Sequence, residues 1–283
     1  MKRWILLLHF AAVAAAALAV SPTGPVGAQA TSTAPATSAA TGPASGPATT
    51  TSPAGVDPKA RAILDALEKA GERFKTIQAD VDYLVEMREV GDTETRTGAV
   101  TYERAKDANS SSKFKIQFDT LSQGGGKAIA EKVEYAFDGQ WVTVAKHKIK
   151  QMIRYQVAAK DERVEPLKIG KGPFPLPFGQ KAEEVIRYFE VTTRATTDKE
   201  PKDTDYMKLT TRPERRREIN FKTLEMWVDR KTALPVRIVS DDRKNTSTVD
   251  FKNVKTDVEV KGETFLLPRP PGWELTVKRL GED

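Results

Sequence analysis

Cysteine is absent from this chain of 283 residues, and histidine occurs only as His9 and His147. The lack of cysteine excludes disulfide bonds, a thiolate nucleophile and sulfur-ligated zinc or iron sites. His9 lies in a segment that we expect to be removed, so a histidine cluster typical of transition-metal sites is also excluded. His147 lies between Lys146 and Lys148 with no nucleophile or orienting acid nearby, and we predict an exposed turn histidine rather than a general base.

A strong charge of one sign is also lacking. The chain has 45 lysine and arginine residues and 39 aspartate and glutamate residues; without Lys2 and Arg3 there are 43 basic residues, a net charge of +4. So weak an excess does not indicate a nucleic-acid-binding protein. An apolar content of 39% with 30% charged residues is typical of a soluble, well solvated chain.

The first thirty residues have the features of a secretory signal peptide. Met1–Arg3 is basic, and Trp4–Val20 is an almost unbroken apolar run. Ala28-Gln29-Ala30 has small residues at the two positions that a signal peptidase recognises before its cleavage site. The run is near the lower limit for crossing a hydrocarbon core of ~30 Å, so we favour cleavage before Thr31 over a membrane anchor. Export without cysteine indicates a periplasm-like compartment, and no cysteine follows the run to carry a lipid anchor.

Residues 31–56 contain no charge and no side chain larger than valine. They cannot bury enough apolar surface to offset the chain entropy, so we predict a disordered linker, whether tether, glycosylated stalk or plain spacer. The folded domain is predicted to span 57–283, with Asp57 as a helix cap and Pro58 at the first helical position. Apolar residues at helical spacing predict an amphipathic helix over roughly 58–75, namely Ile63, Leu67, Ala70, Phe74 and Ile77.

After Thr76, apolar residues recur at every second position, which is the pattern of β-strands with one buried face. One wet face on each strand indicates antiparallel pairing, and the short connections indicate hairpins. A second helix is predicted near 180–189, so the fold class is α+β, dominated by one large antiparallel sheet. About ten strands are predicted, at 76–87, 113–118, 133–137, 141–144, 149–157, 206–211, 219–229, 234–240, 246–254 and 258–261.

A sheet of this size has to cover its apolar face, and two short helices cannot cover ten strands of a flat sheet. We therefore predict a curved antiparallel β-sheet, a half-open barrel, with the helices as lid or plug. The uncharged, proline-rich loop at 173–179 either packs on the barrel mouth for stability or forms part of a lid over a hydrophobic cavity. The residues predicted to line this cavity are Phe114, Ile116, Phe118, Val133, Tyr135, Phe137, Phe174, Leu176 and Phe178.

Three stretches of the C-terminal third stand in a characteristic order. Leu224–Arg237 contains Trp227-Val228-Asp229 followed by Leu234-Pro235, Thr248–Val254 comes next, and Phe265–Leu275 holds a proline-rich element that ends at Gly272. This order resembles the outer-membrane lipoprotein carrier superfamily of LolA- and LolB-like proteins. The helix at 58–75 followed directly by a strand also resembles the start of that family.

The resemblance implies a half-open barrel with a helical lid, whose cavity takes the acyl chains of lipoproteins through the periplasm. It implies no catalytic residue, cofactor or metal, and as partners it implies lipid or lipoprotein acyl chains and a membrane transporter or acceptor protein. We expect a monomer. In the family an arginine on an early strand fastens the closed lid, and Arg88, Arg96 and Arg104 are the candidates here.

The alternative hypothesis is a non-catalytic periplasmic sensor or interaction module on the same fold, which binds a segment of a membrane protein. An enzyme is a third hypothesis, for which the sequence offers no site chemistry. The densest basic run, Arg212–Glu218, is either a solvated loop or a dock for acidic lipid headgroups, and we interpret it as the loop. Asp241-Asp242 is interpreted as a solvated hairpin turn, and Gly124–Gly126 as a flexible connection.

Overall fold

The computed structural model describes residues 56–107, 109–159, 162–164 and 180–281. The predicted signal peptide, almost all of the predicted linker and the loop with Phe174, Leu176 and Phe178 lie outside the described residues. The described part contains two α-helices, α1 (Pro58–Arg73) and α2 (Ala182–Tyr188), and twelve strands. The strands are β1 (Thr76–Met87), β2 (Asp92–Glu103), β3 (Lys113–Gln123), β4 (Ile129–Phe137), β5 (Trp141–Lys146), β6 (Gln151–Gln156), β7 (Phe189–Arg194), β8 (Thr204–Thr211), β9 (Thr223–Asp229), β10 (Pro235–Asp241), β11 (Asn245–Thr256) and β12 (Glu274–Lys278).

Helix α1 begins and ends close to its predicted bounds. Asp57 Oδ1 accepts a hydrogen bond from the Lys59 N–H at 3.2 Å, and Pro58 occupies the first turn, where its missing N–H costs nothing. The helix ends at Arg73, because Phe74 is already extended and leads into β1. Its buried stripe includes Ile63 and Leu67, so α1 packs as an amphipathic helix on the sheet.

All twelve strands form one open sheet, in the order β12-β6-β5-β4-β3-β2-β1-β11-β10-β9-β8-β7. Two meanders of sequential strands, β1–β6 and β7–β11, are joined where β1 pairs with β11. All neighbours are antiparallel except β12 and β6, which pair in parallel. The sheet is curved and not closed, so the predicted fold class is confirmed.

The register of the β2–β3 pair shifts between Thr97 and Gly98. A Cβ atom at Gly98 would lie 1.8 Å from the carbonyl oxygen of Gln117, so glycine is required for the close approach of the two backbones. A second register shift, between Phe118 and Thr120, follows in the β3–β4 pair. Bulges of this kind bend a strand and increase its twist, which helps the sheet to curl.

The two faces of the sheet are covered by different parts of the chain. The inner face, defined as the face that packs with α1 and α2, contributes to one apolar cluster that includes residues of both meanders. On the outer face the C-terminal segment crosses β4–β6: Trp273 packs on Ala145 and Met152, with Leu267 and Leu275 beside them. Strand β12 then extends the sheet beside β6, from Glu274 opposite Gln151 onward.

Several predicted strand positions were wrong. Strands β2, β7 and β12 were missed: β2 reads DTETRTGAVTYE and has few apolar residues, whereas β7 and β12 are edge strands. The expected strand at 258–261 is irregular, since the chain there leaves the sheet toward the outer face. The second helix was expected near 180–189 and is found at Ala182–Tyr188.

Candidate functional site

Six of the nine predicted cavity residues lie next to one another on the inner face of β3 and β4. Phe114 pairs with Phe137, Ile116 with Tyr135 and Phe118 with Val133. Five are buried, and Tyr135 is partly buried against the same apolar cluster. The other three predicted residues are those in the undescribed loop. Whether any of the nine lines a lipid cavity therefore remains a prediction.

The inner face is closely packed around these residues. The ring centroids of Phe114 and Phe137 are 5.9 Å apart, and Phe118 stacks on Tyr83 at 5.7 Å and meets Tyr135 edge-on at 6.3 Å. Such contacts contribute beyond the burial of apolar area alone. In the described part, an apolar cleft between β1, β2 and β10–β11 has a cavity volume of about 10 Å³, which is about what one water molecule needs.

A polar group interrupts the apolar inner face beside Phe118 and is called here the Arg96 cluster: Glu94, Arg96, Glu131, Tyr83 and Tyr135. Arg96 Nε donates to Glu94 Oε1 at 2.6 Å and Nη2 donates to Glu131 Oε1 at 3.3 Å. The side chain of Arg96 is only 12% exposed. Its Nη1 atom is buried and has no hydrogen-bond partner among the described residues. A buried guanidinium donor left unpaired is costly, so this atom is a candidate contact for a ligand.

The tyrosines of the Arg96 cluster are held neutral. Burial raises the pKa of Tyr135 to about 12, and burial also raises the pKa of Tyr83. Tyr83 Oη donates to Ser247 Oγ at 3.4 Å across the β1–β11 pair. The cluster therefore offers hydroxyl and guanidinium donors beside a carboxylate pair, a surface that suits an uncharged acceptor better than an anion.

The three candidate arginines occupy different environments. Arg88 lies at the exposed end of β1 and pairs with Asp241 at 2.9 Å. Arg104 follows β2 and donates to the carbonyl oxygen of Glu72 at the end of α1. Among the three, Arg96 alone extends into the inner face.

The prediction for His147 was wrong in one respect. The residue lies in the β5–β6 turn, but it is only partly exposed, because Trp273 packs edge-on against its ring at 4.8 Å. His147 Nε2 donates to Glu134 Oε2 at 2.6 Å, and Lys115 Nζ lies 2.9 Å from Glu134 Oε1. Burial alone raises the pKa of Glu134, but the hydrogen bonds from Lys115 and His147 outweigh it and hold the pKa below its usual value.

The described residues contain no group of three or more histidine, cysteine, aspartate or glutamate side chains arranged to hold a metal ion. Nor do they include a helix that is long and apolar enough to cross a membrane. Asp242 lies in the exposed β10–β11 turn, and Gly124–Gly126 lies in the β3–β4 turn, as expected. Arg212–Glu218 forms a loop with a short 3-10 turn, in which Arg215 pairs with Glu218 at 2.9 Å.

Comparison with models of known families finds no match to the sequence, and comparison with curated proteins finds none either. Solved structures do match. A conserved uncharacterised protein from Thermus thermophilus has 12% identity and a TM-score of 0.46, over 78% of this chain and 99% of that one. The MucA/MucB complex of Pseudomonas aeruginosa matches with 12% identity and a TM-score of 0.38, over 74% of this chain and 61% of that chain.

A LolA superfamily protein from Nitrosomonas europaea matches at 12% identity and a TM-score of 0.33, over 74% of this chain and 97% of that one. A protein of the superfamily that the C-terminal motifs resemble is thus among the matches, at low identity. These likenesses are distant and carry no conclusion about function.

Proposed function

We propose that this chain is an exported, non-catalytic carrier that holds the acyl chains of a lipoprotein, or of another lipid, on the inner face of its sheet and moves them through the cell envelope. The observation that supports it most is the continuous apolar inner face of an open sheet. Exposing an acyl chain to water costs about 0.8 kcal/mol of free energy for each CH₂ group. A soluble carrier therefore needs an apolar face that covers the chain.

The proposed site combines the inner-face residues of β3 and β4 with the loop that carries Phe174, Leu176 and Phe178. Arg96 adds a polar contact at its edge, since a lipid ester or amide carbonyl is an acceptor that its Nη1 atom lacks. The proposal also includes cleavage of the signal peptide near Ala30 and a periplasmic location. It further includes a linker at 31–56 and a monomeric domain at 57–283. A membrane transporter or acceptor protein would then supply or receive the lipid.

One observation favours the alternative of a non-catalytic interaction module that binds a membrane-protein segment. Among the described residues the inner face is closely packed, and its apolar cleft of about 10 Å³ is far smaller than the several hundred Å³ typical of a ligand pocket. A filled inner face has no room for an acyl chain, and the protein would then bind its partner through its outer surface.

The substitution Ile116→Trp separates the two functions. Ile116 is 5% exposed and pairs with Tyr135 at the centre of the proposed site. In a carrier whose inner face opens for lipid, the larger ring displaces a fluorescent fatty acid with little loss of stability. In a filled core it destabilises the fold by roughly 1–3 kcal/mol.

Gln117→Trp is the matched control, since Gln117 is the next residue on the same strand and faces outward. Probe binding is measured by fluorescence and stability by urea unfolding. A parent protein that binds no probe, and from which organic extraction releases no lipid, ends the carrier hypothesis in favour of the interaction module.

A further inference from the structure

The sheet order places five hairpin tips along one rim. Strands β6 and β5, β4 and β3, β2 and β1, β11 and β10, and β9 and β8 are neighbours, and each pair is connected at the same end of the sheet. The connections are residues 147–150, 124–128, 88–91, 242–244 and 212–222, and together they are called here the tip rim. Since neighbouring strands lie ~4.8 Å apart, adjacent tips are separated by roughly 10 Å.

Three adjacent tips each carry, or are directly followed by, an exposed aliphatic residue. Ile149 is 60% exposed in the β5–β6 turn, Ile129 is 49% exposed at the start of β4, and Val90 is 70% exposed in the β1–β2 turn. Single exposed aliphatic residues are ordinary, but three on consecutive tips form a row. The described loops at the opposite end of the sheet, 104–112, 138–140, 195–203, 230–234 and 257–261, contain no large exposed apolar residue. The segment that follows β12 at that end carries a single one, Leu280, which is 42% exposed.

The tip rim is also the basic end of the sheet. Its five connections contain nine exposed lysine and arginine residues and four exposed aspartate and glutamate residues, a net charge of +5. The five described loops of the opposite end contain six exposed lysine and arginine residues and five exposed aspartate and glutamate residues, a net charge of +1. Lys148 and Lys150 directly flank Ile149, and Lys127 precedes Ile129 by two residues. The aliphatic and basic side chains therefore share one surface.

We propose that the tip rim docks the protein on an anionic lipid bilayer. Aliphatic side chains on short turns insert into the headgroup boundary, while the surrounding lysine and arginine residues are attracted to acidic lipid headgroups. A protein partner or a second copy of the chain would bury the aliphatic row as well. The excess of positive charge around the row favours the anionic bilayer as its occupant. The inference goes beyond lipid carriage and does not depend on it.

Vesicle co-sedimentation of the exported chain tests the proposal, with the N-terminus checked because residual residues 4–20 would bind lipid themselves. The chain is expected to bind phosphatidylcholine vesicles that contain phosphatidylglycerol, and to bind pure phosphatidylcholine or high-salt samples much more weakly. The triple variant V90S/I129S/I149S should lose about tenfold or more in vesicle affinity. Its matched control, L266S/L280S, changes two exposed aliphatic residues outside the tip rim and should bind like the parent.

Charge reversal supplies the second arm. K127E/K150E at the tip rim should weaken binding by about tenfold or more, whereas K199E/K231E at the opposite end should leave it nearly unchanged. The proposal is overturned if the parent binds no anionic vesicles, or if rim and control variants bind alike. It is also overturned if the triple variant instead abolishes a dimer seen by analytical ultracentrifugation. Fatty-acid probe binding, measured without vesicles, tests lipid carriage separately.

Discussion

The inner face of the sheet buries one continuous apolar cluster that extends from α1 across both meanders, whereas the outer-face cluster consists of Ala145, Met152 and Trp273. Beside that small cluster lies Glu134, a buried carboxylate surrounded by Lys115, Lys132 and His147. Apolar burial on the inner face is insensitive to pH, while the charged contacts on the outer face are not. The comparison indicates that the inner face determines global stability and the outer face holds the C-terminal segment in place.

The largest effect is expected on the inner face. Phe114 is fully buried, so Phe114→Ala should lower the free energy of unfolding by about 3–5 kcal/mol. Lys113→Ala, the preceding residue on the outer face, should change it by no more than about 0.5 kcal/mol. Urea unfolding followed by tryptophan fluorescence measures both. Equal losses for the two variants would contradict the assigned faces.

A smaller and more local effect is expected at Trp273. Trp273→Ala removes the main side chain that covers Ala145 and Met152, so the free energy of unfolding should fall by about 2 kcal/mol. Hydrogen exchange should accelerate in β12 and β6 while β1–β3 stay protected. If exchange instead accelerates uniformly, the outer-face segment belongs to the same cooperative unit as the inner core.

The smallest effect is expected at Glu134 and depends on pH. Because its pKa is lowered in the folded protein, the stability that it contributes is present above the unfolded pKa of about 4.3 and is lost as the pH falls through the folded pKa. Glu134→Gln should cost about 1 kcal/mol at neutral pH. The cost should shrink toward acid pH in urea titrations. A cost that does not vary with pH would show that the carboxylate charge is unimportant there.

The sequence predicted best what depends on local periodicity. The cap at Asp57, the stripe on α1 and the alternation in β3 and β4 gave a helix and strands near their observed positions. The amphipathic alternation also implied a curled sheet, since one apolar face had to be covered. Strand β2 was missed because its inner face carries Glu94 and Arg96, which break the apolar alternation.

The polar contacts could not be predicted, since each joins residues that are distant in the sequence. Glu131 reaches Arg96 across β3, and Trp273 meets His147 only after the C-terminal segment has crossed the outer face. Of the candidate site, the apolar positions on β3 and β4 were predictable from alternation. The family resemblance named Arg96 among three candidate arginines. The rest of the Arg96 cluster had one signal in the sequence, charged residues at inward positions of a strand, and this signal can be recognised only once the register is known.

The pairing of β1 with β11 has a consequence for how the chain folds. Each meander can form from neighbouring hairpins. The two meanders become one sheet only when β1 pairs with β11, which brings Ile77 opposite Thr256. Contacts so distant along the chain form slowly, because the loop entropy is lost before the pairing is gained. Until then β1 presents a long unpaired edge of the type that templates aggregation. We therefore expect the joining of the meanders to limit the folding rate, and the interval before it to be when the newly made chain most needs a chaperone.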